Sequence, residues 1–436
     1  MCAGVRILAR DTSLDRRETD PAPVRSEPVE RVAPVEASGL FRALRASVSF
    51  RDLWFGTLVT NTAFWMYQIA VGWLALDLTD SPFFVGLTGF AGGIPLLFLA
   101  LPTGVIIDRV DRRTVLLCAQ TGIMLISLAF AVLVITGAIA PWSILLLSFL
   151  YGSVMAFIFP TRNAMVPALV ERSLIRNAVG LNAAGQNATR VFGPSIAGVM
   201  IALVGAGGTF ALAAVMQIAA LFWTSRVPKS PRDRPKVVSS VLGSVSEGVA
   251  VIARDRFLTG LILLATIATV LIMPYINLLP VFARDELNLG ATGLGLLMAC
   301  TGVGSVIGAL AVAGWRRLAE IPGIQIISAA LFTATVLVFA ITPQPIVAAL
   351  LLLAAGAASA ALMSINNTVL QLQVDDAVRG RVLSIYMLTW GLLPLGQLPI
   401  GACADAFGAP AAVVGASTLA LVCIAVLTVC FPSLRD

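Results

Sequence analysis

The chain has 436 residues, of which 58% are hydrophobic and only 12% are charged, and its mean hydropathy is +0.94. Soluble proteins carry about 25% charged residues, so a single water-facing globule is excluded. Histidine is absent, which removes a catalytic histidine, an HExxH zinc site and a Ser-His-Asp triad, and the six cysteines (Cys2, Cys118, Cys300, Cys403, Cys423, Cys430) form no CxxC pair and outline neither a disulfide framework nor a metal site.

From the N-terminus, residues 1–45 read as a tail. Four prolines between Pro21 and Pro34, near-balanced charge and few large apolar side chains predict disorder over most of it. It carries no long apolar core with a cleavage site, so it is not read as a cleavable signal peptide. Phe41–Phe50 is a candidate interfacial helix leading into the first span.

Twelve apolar runs follow, at 53–78, 83–107, 114–137, 141–162, 177–204, 208–226, 257–281, 291–315, 322–342, 345–369, 380–406 and 410–431. Each is near the roughly 20 residues with which a helix crosses a bilayer. Short turn-rich connections separate them, such as Thr79-Asp80-Ser81-Pro82, Gly205-Ala206-Gly207-Gly208 and Thr342-Pro343-Gln344-Pro345. A membrane β-barrel would alternate polar and apolar residues; Leu145–Leu147 and Ala348–Leu353 do not.

The net charge of +6 comes from 27 Arg and 2 Lys against 23 acids. Counted by connection, 27 of the 29 basic residues fall on one side, in the N-terminal segment, the even-numbered loops and the C-terminal tail. Loop 4–5, for example, is assigned Arg162, Arg172 and Arg176. The exceptions are Arg284 in an opposite loop and Arg190 inside the fifth run. The positive-inside rule then places both termini in the cytoplasm, with the chain in the plasma membrane. The basic balance reflects topology, and no folded basic domain for nucleic acid is expected.

The chain also reads as a repeat. Arg176 precedes Gly193 by seventeen residues and Gly198 follows; Arg379 precedes Gly396 by seventeen and Gly401 follows. Adjacent pairs, Arg112-Arg113 and Arg316-Arg317, stand after the second and eighth runs. The prediction is an all-α polytopic membrane protein of twelve transmembrane helices in two pseudo-symmetric six-helix halves, 46–226 and 257–436. A polar linker at 227–256, with an amphipathic stretch at Val237–Ala253, joins them. Halves arranged in this way are known to hold a site between them at mid-membrane.

Gly104-Val-Ile-Ile-Asp108-Arg109-Val-Asp111-Arg112-Arg113 resembles the loop 2–3 motif of the major facilitator superfamily, Gly-x-x-x-Asp-Arg-x-Gly-x-Arg, with Asp111 where the general motif has Gly. Asp111, Pro160-Thr-Arg162-Asn-Ala164-Met-Val166-Pro167 and Arg190-Val-Phe-Gly193-Pro194-Ser-Ile-Ala-Gly198 are similar to the branch of enterobactin exporters and related drug exporters. Gly193, Pro194 and Gly198 resemble an antiporter motif. The resemblance implies the major facilitator fold and export of a small amphipathic solute by alternating access with proton antiport. It also implies a conformational latch of Gly104, Asp108, Arg109, Asp111 and Arg113 against Arg379 and Arg381. A local turn cap at Asp108 is the plainer alternative.

Arg190 is costly at mid-membrane. Asn182, Gln186 and Arg190 recur every four residues and share a helical face. That stripe reads either as substrate recognition or as a structural anchor between spans. The resemblance puts spans 1, 4, 7 and 10 around the cavity, and the candidate lining is Asn61, Trp65, Gln68, Tyr151, Met155, Tyr275, Asn277 and Asn366, with Trp390 and Gln397 from span 11. No carboxylate sits clearly mid-membrane, so Asp77 and Asp405 are the candidate proton carriers, or else end caps. The expected partners are a small-molecule substrate, the lipid bilayer and protons, with no cofactor, no metal and a monomeric state. An importer, a polytopic membrane enzyme and a receptor remain as alternatives, while a primary pump is opposed by the lack of a GxxxxGK[ST] loop.

Overall fold

In the computed structural model the described residues are 41–229, 241–315, 321–374 and 376–435. A few side chains within them, including those of Asp108, Arg379 and residues 241–247, lie outside the description. Most of the expected tail and part of the linker also lie outside the described residues. Those that are described form helices and turns, with no strand among them.

A short α1 (Arg42–Ala46) leads into α2 (Val48–Thr79), which starts where the Ser47 side chain accepts the Phe50 N–H and stops at Asp80 in left-handed geometry. α3 (Pro82–Arg109) begins with Pro82 behind an Ser81 cap, and α4 (Arg112–Ile135) begins behind an Asp111 cap. These caps satisfy N–H groups that a helix start leaves free. α5 (Pro141–Met165) and α6 (Ile175–Arg226) follow. At 1.5 Å per residue the 52 residues of α6 would reach about 78 Å, far beyond a bilayer. The helix breaks at Gly205, whose φ of 72° and ψ of 178° are open to glycine, so spans 5 and 6 meet there.

The second half is more interrupted. After α7 (Val241–Arg254), the seventh span is α8 (Arg256–Ile267), a π turn at Ala268–Ile272, α9 (Tyr275–Val281) and another π turn at Phe282–Glu286. Then come α10 (Gly290–Gly314), α11 (Ile324–Ala340) and α12 (Pro345–Gln373). The eleventh span is split into α13 (Asp376–Trp390) and α14 (Leu393–Phe407), and α15 (Ala409–Cys430) completes the bundle. Nine helical stretches among the described residues are long and apolar enough to cross a membrane. One of these, Arg172–Arg226, holds two spans; α2, with 32 residues, and α11, with 17, also have spanning length. The architecture agrees with twelve crossings.

The helices pack unevenly along the seam between the halves. α3 packs closely on α14 and α6 on α10, and α9 touches α2 and α3. At Gly198 a Cβ would come within 2.7 Å of Gly295 Cα, and at Gly86 within 2.5 Å of the Gln397 carbonyl, so backbone meets backbone. All these contacts lie from mid-bundle toward the end away from the basic loops. At the basic end, α8 and α13 pack mainly on α7 and their own half, and Gly104, Gly180 and Gly314 have no neighbour within 4 Å of a Cβ position. Among the described residues the halves are joined at one end and parted at the basic end.

One assignment changes. Arg162, placed in loop 4–5 from the sequence, lies within α5 and is only 1% exposed. The helix runs past the apolar stretch, and Asn61 of α2 draws the guanidinium inward.

Candidate functional site

α2 is the frame on which the site is built, because it packs along both spans of α6. Trp54 Nε1 donates to the Leu181 carbonyl at 3.0 Å, and Gly193 lets the α6 backbone close on Trp65, where a Cβ would come within 2.6 Å of the Trp65 Cβ. Deeper in this half Gln120 Nε2 donates to Thr60 Oγ1 at 3.1 Å, and Thr60 Oγ1 in turn donates to Gln217 Oε1 at 3.4 Å. This small network holds α2, α4 and α6 together.

A cavity of about 230 Å³ lies between the halves. Trp65, Gln68, Tyr151, Met155, Asn277 and Trp390 line it, together with Thr88, Ser148, Met298, Pro394 and Gln397. Tyr67 and Tyr151 stack nearly parallel, with ring centroids 3.6 Å apart, and the Tyr67 hydroxyl donates to Ser148 Oγ at 3.2 Å. Aromatic faces, a thioether and a few amides form a wall that suits a bulky amphipathic molecule.

Six sequence candidates stand elsewhere. Asn61 shares a helix face with Gln68 but accepts from Arg162 Nη1 at 2.8 Å, which turns it away from the cavity. Asn182 is buried at 7% exposure, and Gln186, one turn on, is half-buried. Tyr275 is enclosed by Phe332 and Phe339. Asn366 lines a separate recess with Met273, Tyr386 and Trp390. Arg190 lines another recess, with Trp65, Pro194, Ile276, Met298 and Thr301, and its guanidinium lies 5.6 Å from the Trp65 ring centre. Trp65, Ile276 and Met298 also line the central cavity, so this recess adjoins it.

Sequence reasoning missed Arg162 as a site residue. Its Nε and Nη2 have no hydrogen-bond partner among the described residues. The available signal was Arg162 following an unbroken apolar run with only Pro160 and Thr161 between.

At the joined end, Arg284 Nη1 pairs with Asp80 Oδ1 at 2.9 Å and donates to the Leu76 carbonyl at 3.2 Å, linking the seventh span to the end of α2. Asp405 accepts from Ser81 Oγ at 2.7 Å and from the Phe83 N–H at 3.3 Å, so a carboxylate of α14 caps α3. Asp77 is exposed nearby. At the basic end Asp111 accepts from the Thr114 N–H at 3.0 Å. Arg113 donates to the Ser225 carbonyl and Arg112 to the Ala164 carbonyl, both within the first half. Gly104 and Arg109 are exposed; Arg381 is exposed and engaged in an interaction of its own. The side chains of Asp108 and Arg379, the other members of the expected latch, lie outside the description.

With this geometry in place, comparisons with known proteins are informative. A family model described as "Transmembrane secretion effector" matches residues 38–435. The chain is similar to the staphyloferrin A transporter of Staphylococcus aureus, 27% identical over 79% of this chain and 86% of the relative. It is also similar to the multidrug efflux pump Tap of Mycolicibacterium fortuitum, 26% identical over 84% of this chain and 92% of that one. Among solved structures it superposes on a nucleoside transporter, NupG, with TM-score 0.68 and 13% identity, covering 88% of this chain and 99% of the other. A bacterial homologue of the human lysosomal transporter Spinster superposes with TM-score 0.69 and 14% identity, covering 89% and 98%.

Proposed function

The chain belongs to the transmembrane secretion effector family of major facilitator transporters, and on that premise we propose that it is a secondary exporter of a small amphipathic solute, driven by inward proton flow. One observation carries this reading: a 230 Å³ aromatic and amide-lined cavity sits between the halves, sealed on one side and reachable from the basic end. With basic loops cytoplasmic, the described state faces inward, ready to take solute from the cytoplasm or the inner leaflet of the plasma membrane.

Export then requires the sealed end to open and the basic end to close. Separating α3 from α14 breaks the hydrogen bonds by which the exposed Asp405 carboxylate caps α3, which makes Asp405 the candidate for receiving a proton; Asp77 stands near it as the alternative carrier. With the basic end closed, opposite charges of Asp108 and Asp111 on one side and Arg379 and Arg381 on the other hold the outward-facing state. Gly193, Pro194 and Gly198 let α6 stay close to α2 and α10 through the change, as small residues allow close helix approach. A monomer with both termini in the cytoplasm suffices for this cycle. The relatives named for staphyloferrin A and for multidrug efflux support the solute class and the outward direction.

Everted membrane vesicles test the proposal. With an acid interior, they should accumulate fluorescent drugs or catecholate siderophores, and collapse of the pH gradient should stop accumulation. Asp108→Asn should slow it while leaving the amount of protein in the membrane unchanged. Accumulation indifferent to the pH gradient would remove proton coupling, and release in place of accumulation would make the chain an importer.

A further inference from the structure

The charge inside the bundle is one-sided. Arg162 is buried within α5, and Arg190 lies fifteen residues beyond Ile175, the start of α6, against Trp65. Their contacts on α2 are Asn61 and Trp65, four residues apart, so the two guanidinium groups address adjacent turns of one helix face. No carboxylate lines the central cavity, the adjoining Arg190 recess or the separate Asn366 recess among the described residues. The ion pairs among those residues both belong to Arg284 at the sealed end. Asp52, the buried carboxylate of α2, lies nine residues before Asn61, about 13 Å of helix, and pairs with neither arginine.

A guanidinium held at mid-membrane without a counter-ion is costly. Arg190 has the electron-rich face of Trp65 and the neighbouring Tyr275 phenol, neither of them a carboxylate, and Arg162 has one amide, with Nε and Nη2 left over. A cationic solute entering this cavity and the recess beside it would meet the fixed charge of Arg190, with that of Arg162 buried behind Asn61, and no carboxylate among the described lining residues. An anion would find the charge it lacks, and a guanidinium offers a carboxylate two parallel hydrogen bonds.

Building on the export reading, we propose that the transported solute is an organic anion, an aromatic or bulky apolar body carrying a carboxylate or equivalent acid. The body lies in the central cavity against Tyr151, Met155 and Trp390, and the acid group enters the adjoining recess to meet Arg190 beside Trp65. Arg162, bonded to Asn61 one turn nearer the basic end, lines neither space and contributes only a buried positive background to the site. Arg190 therefore selects by charge, and the aromatic wall selects by size.

Three matched probes test this in everted vesicles with an acid interior: dansylglycine, which is anionic, dansylglycinamide, which is neutral, and dansylcadaverine, which is cationic. The wild-type chain is expected to accumulate dansylglycine at least tenfold better than either analogue. Arg190→Gln should erase that preference, and Arg190→Lys should restore part of it with a raised KM. Wild-type accumulation of the cation or the amide as good as that of the acid overturns the proposal while leaving export intact, as does an Arg190→Gln protein that keeps the preference. A wild-type chain that accumulates none of the three above protein-free vesicles overturns the export reading itself. The wild-type selectivity decides the matter even if the variants fail to reach the membrane.

Discussion

The two halves divide polarity and irregularity unequally. Among the described residues the buried charged side chains, Asp52 and Arg162, belong to the first half, as do Arg190 and the Thr60–Gln120–Gln217 network. The second half buries no charge among those residues but interrupts its helices, with π turns on either side of α9 and a break between α13 and α14. π turns frequently occur at functional sites, and a broken helix concentrates bending at one place. Recognition groups thus sit on a hydrogen-bonded frame, and the give sits in the half that faces it. A carrier built this way can hold its solute in register while the opposite wall changes shape.

Joining the halves too loosely should do the greatest damage. A Gly198→Leu side chain would be forced against Gly295, where even a Cβ reaches 2.7 Å. Over-packing of this kind costs about 1–3 kcal/mol, a shift of about 5- to 150-fold between states. Spin-label distances between α6 and α10 at the sealed end should lengthen, and transport should fall toward background; unchanged distances would show that the seam is slack. A second change sharpens the contrast between the halves. Arg162 makes no ion pair among the described residues, and a buried charge without a counter-ion is costly, so Arg162→Met should not lower the melting temperature in detergent. Transport should still drop about tenfold, in line with about 1.5 kcal/mol for a hydrogen bond to a charged group. A clear loss of thermal stability would instead make Arg162 a structural anchor. The smallest effect is expected for Arg284→Gln. The Asp80 partner is 83% exposed, and exposed pairs contribute about 0–1 kcal/mol, so transport should change less than about fivefold. Loss of transport there would move the seal from the glycine seam to the ion pair.

The crossings were readable because a bilayer demands about 20 apolar residues in a row, a local property of the chain. The break at Gly205 was readable for a similar reason: a glycine-rich stretch falls in a run too long to be one span. The site was less so. Arg162 next to Arg172 and Arg176 looks like one more basic loop residue, and its burial depends on Asn61, 101 residues away. Asn61 and Gln68 share a face, but the face does not tell how deep the cavity reaches, and only Gln68 lines it. Asn182, Gln186 and Arg190 follow one stripe, yet a four-residue step overshoots a helical turn by about 40°. The stripe therefore rotates from the buried Asn182 to the recess at Arg190.

The seam at Gly86, Gly198, Gly295 and Gly401 is backbone laid on backbone. The glycines themselves carry no charge, so ionic strength and membrane voltage act on their parting only through the groups beside them, the Asp405 cap on α3 and the Arg284–Asp80 pair. The electric field, worth about 2.3 kcal/mol per charge per 100 mV, bears also on the guanidinium groups of Arg162 and Arg190 and on the cargo. Voltage sensitivity in this protein should report the cargo, the arginines and the proton received at Asp405, while the glycine contacts themselves should be electrically silent.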